Sequence, residues 1–301
     1  MPSCVLALDI GATKAAIGIF DLNLNLLKRV DVPTGSNEGI WDSISNAIKE
    51  ISPDIEIIGI GIGSAGPLHL SAGAVSPVNI PTWREFPLVE KLSELLKIDR
   101  SEINLHGDAV ALTHAEHKVG AGKGAKNMLG MVVSTGIGGG LILDGKLQLG
   151  ITGNSGYFGH HTISFESDPC VCGRTGCVEM FASGPKMVEY ATKIGWTSAN
   201  KNFEELYRNA VAGDNFAIES LKRGADALAQ AIVNVLCILD INTVVVGGGV
   251  IQSGDLYWNE LDSRVQHHAT FAKFIGKVDL RKSTLSKDAG LVGAALAYLD
   301  K

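Results

Sequence analysis

The chain of 301 residues is 46% hydrophobic and only 19% charged, which excludes a disordered polymer and leaves enough apolar side chains for a sizeable core. Its length exceeds the usual size of one domain, so two lobes are expected. With 32 acidic against 26 basic residues, a net charge of -6 and a pI near 5.8, it lacks the basic footprint that binding a nucleic-acid backbone requires, and small-molecule chemistry fits better.

Met1-Pro2-Ser3 runs straight into an apolar segment, without the basic, apolar and small-residue series of a secretory leader, and no apolar run is long enough to cross a bilayer. A reducing cytoplasmic setting with no membrane partner is therefore expected. Val5 to Asp9 reads as a strand ending on a carboxylate, Ile10 to Lys14 as a turn, and Ala15 to Phe20 as the returning strand of a hairpin. Asp21 to Asn25 is a second turn and Leu26 to Val32 a third strand. Ile40 to Ile51 has helical spacing and Ile55 to Ile62 is again strand-like, so a hairpin followed by βαβ units predicts an α/β fold with a mixed sheet. Asp9-Ile10-Gly11-Ala12-Thr13-Lys14 suits an anion, because small residues let backbone N–H groups close on it; a plain turn with a solvated Asp9 explains it equally well.

Gly63 to Pro67 and Val75 to Trp83 form a loop-rich stretch, either a connector or a ligand loop following a strand. Ile103 to Asp108 reads as a strand ending on an aspartate, with a helix over Ala109 to Val119 behind it. Asp108 is then either a helix N-cap or a carboxylate facing a cleft. Met128 to Val133 is another strand; Ser134-Thr135-Gly136-Ile137-Gly138-Gly139-Gly140 reads as a glycine-rich turn, and Leu141 to Leu143 as the strand after it. The turn fits neither Gly-x-Gly-x-x-Gly nor a Walker loop, yet it offers unobstructed donors to phosphates.

The densest chemistry follows. Gly153 to His160, then Cys170-Val171-Cys172-Gly173-Arg174-Thr175-Gly176-Cys177-Val178-Glu179, places one histidine and three cysteines within 18 positions, separated by glycines that permit tight turns. These are the ligand types of a closed tetrahedral zinc site. Buried thiols or a disulfide are the bland alternative, but Cys170 and Cys172 are too close to bridge comfortably and a third cysteine would be left over. Cys4 and Cys237 lie in apolar runs and are expected in the core. Further on, Leu221, Ala225, Leu228, Ile232, Val235, Leu236 and Leu239 make one helical stripe, and Thr243 to Val246 a strand ending on Gly247-Gly248-Gly249. Lys287 to Ala295 is a run whose small residues let a helix pack closely.

Gly159-His160 with Cys-x-Cys-Gly-x-x-Gly-Cys-x-Glu at Cys170 to Glu179 resembles the signature of the ROK family of sugar kinases and sugar-responsive repressors. The resemblance runs from Asp9 to Leu296. It implies a two-lobed actin-like ATPase (ribonuclease H-like) fold, each lobe a mixed sheet flanked by helices, with a zinc knuckle. Residues 1–112 would form the first lobe, joined by a C-terminal helix over 289–301, and residues 113–288 the second. It implies structural Zn2+ on His160, Cys170, Cys172 and Cys177. It also implies ATP with Mg2+ at Asp9, Gly11, Thr13 and Lys14, at Thr135, Gly136 and Gly138, and at Gly247, Gly248 and Gly249. Asp108 would be the catalytic base, and Gly66, Asn79, Gly107, Asp108, Tyr157, His160 and Glu179 would line the sugar.

By this resemblance the chain is expected to be an ATP-dependent kinase for the 6-hydroxyl of a hexose or N-acylhexosamine, acting as a homodimer whose lobes close over the sugar to exclude water. Two positions depart from the family pattern. Gly107 stands where the family has Asn, and Tyr157 where it has the Glu of Gly-Glu-x-Gly-His. Both changes shift the expected sugar from glucose toward N-acetylmannosamine; a glucokinase and a sugar-binding pseudokinase are the alternatives. A repressor is disfavoured, since the hairpin begins at Val5 and leaves no room for a helix-turn-helix region before it.

Overall fold

The computed structural model describes residues 3–11, 13–34, 39–78, 80–165, 168–285 and 288–301. In chain order its elements are β1 (Ser3–Ile10), β2 (Lys14–Phe20), β3 (Leu26–Pro33), α1 (Ile40–Ile51), β4 (Glu56–Ser64), β5 (Leu68–His69), β6 (Ala74–Val75), α2 (Leu88–Leu96), β7 (Ile103–Gly107) and α3 (Asp108–Val119). There follow β8 (Met128–Val133), β9 (Ile137–Leu143), β10 (Lys146–Leu147), α4 (Glu179–Ala182), α5 (Gly184–Ile194), α6 (Phe203–Val211), α7 (Asn215–Leu239), β11 (Thr243–Gly247), α8 (Gly249–Gln252), α9 (Asp255–Phe271), β12 (Asp279–Lys282) and α10 (Ala289–Leu299). They gather into two compact units, one made of Met1–Val119, Lys146–Gly156 and Lys287–Lys301, the other of Gly120–Gly145 and Tyr157–Ser286. By this division residues 113–119 and 146–156, assigned above to the second lobe, fall in the first unit.

In the first unit the sheet order is β3-β2-β1-β4-β7. β1 lies antiparallel to β2, with Leu8 opposite Ile17, and parallel to β4, with Leu8 opposite Ile62; β4 is in turn parallel to β7. Period-two alternation sorts the side chains of β1. Leu6, Leu8 and Ile10 join the core formed with Ile44 and Ile48 of α1 and Leu88 and Leu92 of α2, while Ala7 meets Leu291, Ala294 and Ala295 of α10 on the other face. A strand buried on both faces is why this segment reads as a continuous apolar run.

The small residues of β4 let α10 lie almost on the sheet backbone. A Cβ on Gly61 would fall 1.8 Å from the carbonyl oxygen of Ala294, and one on Gly59 2.0 Å from the Tyr298 ring. Gly293 does the same from the helix side, where a Cβ would come within 1.9 Å of the Ala111 carbonyl oxygen on α3. The Tyr298 hydroxyl then donates within reach of Ile58 O at 3.1 Å and Glu102 Oε2 at 2.9 Å, fixing the end of α10.

In the second unit β8 is central, antiparallel to β9 and parallel to β11, which is parallel to β12. The expected stripe on α7 is there: Leu221, Ala225, Leu228, Ile232 and Leu236 are buried in one core with Leu129, Met131, Val244 and Val246 of the strands. One expectation is corrected. The glycine-rich segment is a turn only at Ser134–Gly136, and Gly138, Gly139 and Gly140 are strand residues of β9, which begins at Ile137 rather than Leu141. The reason is packing, since a Cβ on Gly139 would fall 2.3 Å from Gly130 O and 2.7 Å from the Phe158 ring. Glycine here is demanded by close approach, not by turn geometry.

Because the obstacle at Gly61 is a backbone carbonyl that cannot swing aside, Gly61→Val is expected to lift α10 from β4 and destabilise the protein by about 3 kcal/mol or more. Urea unfolding of the variant beside the wild type measures it.

Candidate functional site

In the first unit the carboxyl-terminal ends of β1, β4 and β7 lie side by side, with Asp9 opposite Gly63 and Gly63 opposite His106 in the strand register. This is the edge of an α/β sheet at which ligands bind. Asp9 is the penultimate residue of β1, and Asp108 is the first residue of α3, reached directly from β7. The bare Cα of Gly63 separates them: a Cβ there would stand 3.8 Å from an Asp9 oxygen and 3.8 Å from the Asp108 Cα.

The electrostatics follow from this crowding. Burial, then the neighbouring Asp108 charge, push Asp9 up to about 7, against the smaller pull of Lys14 and Arg29. Asp108 keeps some solvent contact as a residue, yet the protein packed around its carboxyl makes burial the dominant influence, so its pKa is also raised despite the Ala109 N–H that donates to it at 2.7 Å. A third close approach is Gly290 at the start of α10, where a Cβ would fall 2.1 Å from Asp9 Oδ2. Two carboxylates that resist ionisation side by side are a donor set that a divalent cation would satisfy.

Around them, the other expected residues take these places. Gly11 N donates to Lys14 O at 3.0 Å and Thr13 is exposed, while the Lys14 ammonium is paired with Asp31 at 3.1 Å on the surface. Gly66 follows β4 through a cis bond to Pro67. A Cβ on Gly107 would meet only Val110, at an ordinary 3.5 Å, so packing does not require glycine there. Asn79 lies outside the described residues.

In the second unit two glycine turns are adjacent. Gly248 has φ 97°, and a Cβ on it would fall 2.4 Å from Val133 O; a Cβ on Gly249 would be 3.5 Å from Ser134 Oγ. The turn at Ser134–Gly136 is closed by Ser134 N donating to Gly136 O at 2.9 Å and anchored by Gly184 N donating to Ser134 O at 2.9 Å. Thr135 is exposed at its tip. Gly247 ends β11 and Gly249 begins α8, so this stretch presents backbone N–H groups at the end of a strand.

His160, Cys170, Cys172 and Cys177 come together as expected, their ligand atoms all within 4.8 Å of one another. Cys170 Sγ is 3.5 Å from His160 Nδ1 and Cys172 Sγ 3.5 Å from Cys177 Sγ, and all the thiols are free. A tetrahedron with Zn–S bonds near 2.3 Å has S···S edges of about 3.8 Å, so the cluster is the size of a structural zinc site. Its loops depend on Gly173 at φ 84° and Gly176 at φ 78°, where a Cβ would fall 1.6 Å from Ser164 O. Burial and the adjoining Cys172 and Cys170 sulfurs push Cys177 up to about 12. Cys172 is held below its ordinary value, because hydrogen bonds from the Arg174 N–H and the neighbouring thiols outweigh burial. Thiols that share hydrogen bonds so that one ionises more readily and another less so are a set that a dication would hold together as thiolates.

Tyr157 is 43% exposed and stacks on His160, ring centroids 6.0 Å apart. Glu179 opens α4 two residues after Cys177, and its Oε2 accepts the Ile137 N–H at 2.8 Å. That bond to the glycine turn was not anticipated from the sequence, nor was the approach of Gly290 to Asp9.

The ROK family model matches residues 5–301. The chain belongs to the ROK family. Among curated relatives it is 30% identical to a glucokinase of Thermotoga maritima over 97% of this chain and 96% of that one. It is 34% identical to an N-acetylmannosamine kinase of Escherichia coli O1:K1 over 97% of both. A solved ROK glucokinase from Streptomyces griseus, in complex with glucose and AMPPNP, superposes with a TM-score of 0.83 at 28% identity, covering 97% of this chain and 98% of that one. No helix among the described residues is long and apolar enough to cross a membrane.

Two predictions arise here. Folded Asp9 keeps its proton up to about pH 7, whereas an unfolded Asp releases it near 3.8, so ionising it in the folded state costs stability over that window. Asp9→Asn removes the titration. The stability of ligand-free Asp9→Asn relative to wild type should therefore increase from pH 4 to 7 and level off above, as read from urea unfolding at each pH. For the knuckle, elemental analysis should find one zinc bound to the wild type, and Cys172→Ser should lower both metal content and melting temperature.

Proposed function

We propose that this ROK chain is an ATP-dependent sugar kinase that transfers the γ-phosphoryl group to the 6-hydroxyl of a hexose or N-acylhexosamine. The observation that carries this reading is Asp108, a carboxyl of raised pKa at the junction of β7 and α3 with a second carboxylate, Asp9, beside it. Such a group holds a proton more readily than a solvated aspartate, which is what a base accepting a sugar hydroxyl proton needs. Family membership, and relatives named as sugar kinases, support the reaction class. The structural neighbour that holds AMPPNP, an ATP analogue, supports the nucleotide.

Each unit contributes its own chemistry. In the first, Asp108 takes the hydroxyl proton, and Asp9 supplies a carboxylate for the Mg2+ that accompanies the nucleotide and neutralises charge on the transferring group. In the second, the N–H groups of the turns at 134–136 and 247–249 receive phosphates, while Tyr157, His160 and Glu179 face the sugar. His160, Cys170, Cys172 and Cys177 would hold a zinc ion, which would supply folding energy to the loop that carries these side chains.

Relatives of similar identity include both glucokinases and N-acetylmannosamine kinases, so the sugar is argued from this chain's own residues. The half-exposed Tyr157 ring, stacked on His160, offers an apolar face and one hydroxyl where a Glu would accept two hydrogen bonds from adjacent hydroxyls. The side-chain-free Gly107 leaves space that packing does not demand. Both favour an N-acylated hexosamine, and N-acetylmannosamine first.

A coupled ADP-release screen with glucose, N-acetylmannosamine, N-acetylglucosamine and mannose tests the reaction and the sugar together. Asp108→Asn should lower kcat by about a hundred- to ten-thousand-fold while nucleotide still binds; near-normal turnover would reduce Asp108 to a helix cap. Tyr157→Glu should move the kcat/KM ratio about tenfold toward glucose, and a wild type that prefers glucose would refute the role given to Tyr157.

A further inference from the structure

Glu179 is assigned to the sugar by family resemblance, yet one of its oxygens is already committed. Oε2 accepts the Ile137 N–H at 2.8 Å across 42 residues of sequence. The same oxygen would lie 2.8 Å from a Cβ on Gly136 and 3.2 Å from one on Gly159, and a Cβ on Gly159 would also fall 2.2 Å from Ile137 O. Three segments therefore close on one carboxylate oxygen: the turn at 134–137, the single helical turn Phe158–His160 that carries the cluster's histidine, and the first residue of α4 just after Cys177. Among the described residues no other group hydrogen-bonds this carboxylate.

A carboxylate beside a phosphate cradle repels the ligand, so its presence there calls for a compensating task. The Ile137 N–H it occupies is also withdrawn from the phosphates, which leaves the donors of Thr135 and Gly136 at the tip. We propose that Glu179 is a positioning residue that fastens the phosphate turn to the Cys/His knuckle through Oε2, so that nucleotide affinity, and not only sugar affinity, depends on it. The nucleotide part rests on the kinase reading; the fastening itself does not.

The test uses Glu179→Gln, Glu179→Asp and Glu179→Ala in the full chain. Gln keeps an acceptor at the same reach, Asp keeps the charge but withdraws it by one methylene, and Ala removes both. Hydrogen exchange of the Ile137 amide in ligand-free protein should stay slow in wild type and Glu179→Gln, and rise about tenfold in the other two. The dissociation constant for ADP should follow the same order, within twofold for Gln and about tenfold weaker for Asp and Ala, whereas sugar KM should worsen in all three. Because Glu179→Asp removes the bond while keeping the charge, the comparison holds even where Glu179→Ala folds poorly. Wild-type exchange at Ile137 in the Asp and Ala variants would overturn the fastening. A wild type that binds no ADP would instead overturn the kinase reading, with the exchange result still deciding the role of Glu179.

Discussion

Two carboxyl groups crowd one end of one sheet, and much of the first unit is arranged to put them there. Asp9 rides on a strand buried on both faces, and Asp108 begins the helix that leaves β7, on the far side of β4, without a loop. Glycines on either side admit them: Gly63 between the two, and Gly290 where α10 begins. A side chain at Gly290 would fill the space the Asp9 carboxylate uses, and one at Gly63 would press on Ala111 of α3. The raised pKa of Asp9 is the electrostatic measure of that confinement, since burial and a like charge act in the same direction.

The second unit solves a different problem, holding flexible glycine turns still. Gly248 can approach Val133 only because it lacks a Cβ, and Gly184 at the start of α5 ties down the Ser134 carbonyl. The loop that carries the Cys/His cluster leaves Phe165 and Val171 in solvent instead of packing them into a core. A metal at four protein ligands is a substitute for the core such a loop cannot build.

Where chemistry sits close in sequence, it was legible there. Cysteines two and five residues apart with intervening glycines fix a metal-sized cluster, and an aspartate at the end of an apolar run before a helical pattern fixes the place of Asp108. The apolar stripe of α7 was equally plain. What failed was local reading of glycines. Gly138 to Gly140 look like a turn, but they are strand residues, and Gly139 is kept small by Gly130 and Phe158, which no window around it reveals. The surface pairing of Lys14 with Asp31 on β3 is likewise not visible from the residues around it. Contacts such as Glu179 with Ile137, or Gly290 with Asp9, join positions dozens to hundreds apart and become visible only once the chain is folded.

The confinement of Asp9 is measured most directly by a carbon-13 carboxyl NMR titration of the ligand-free protein, in wild type and in Asp108→Asn. The account predicts an Asp9 pKa of about 7 that falls, without reaching the solvated value, when the neighbouring charge is removed. An Asp9 that titrates near 3.8, or one indifferent to Asp108→Asn, would contradict it.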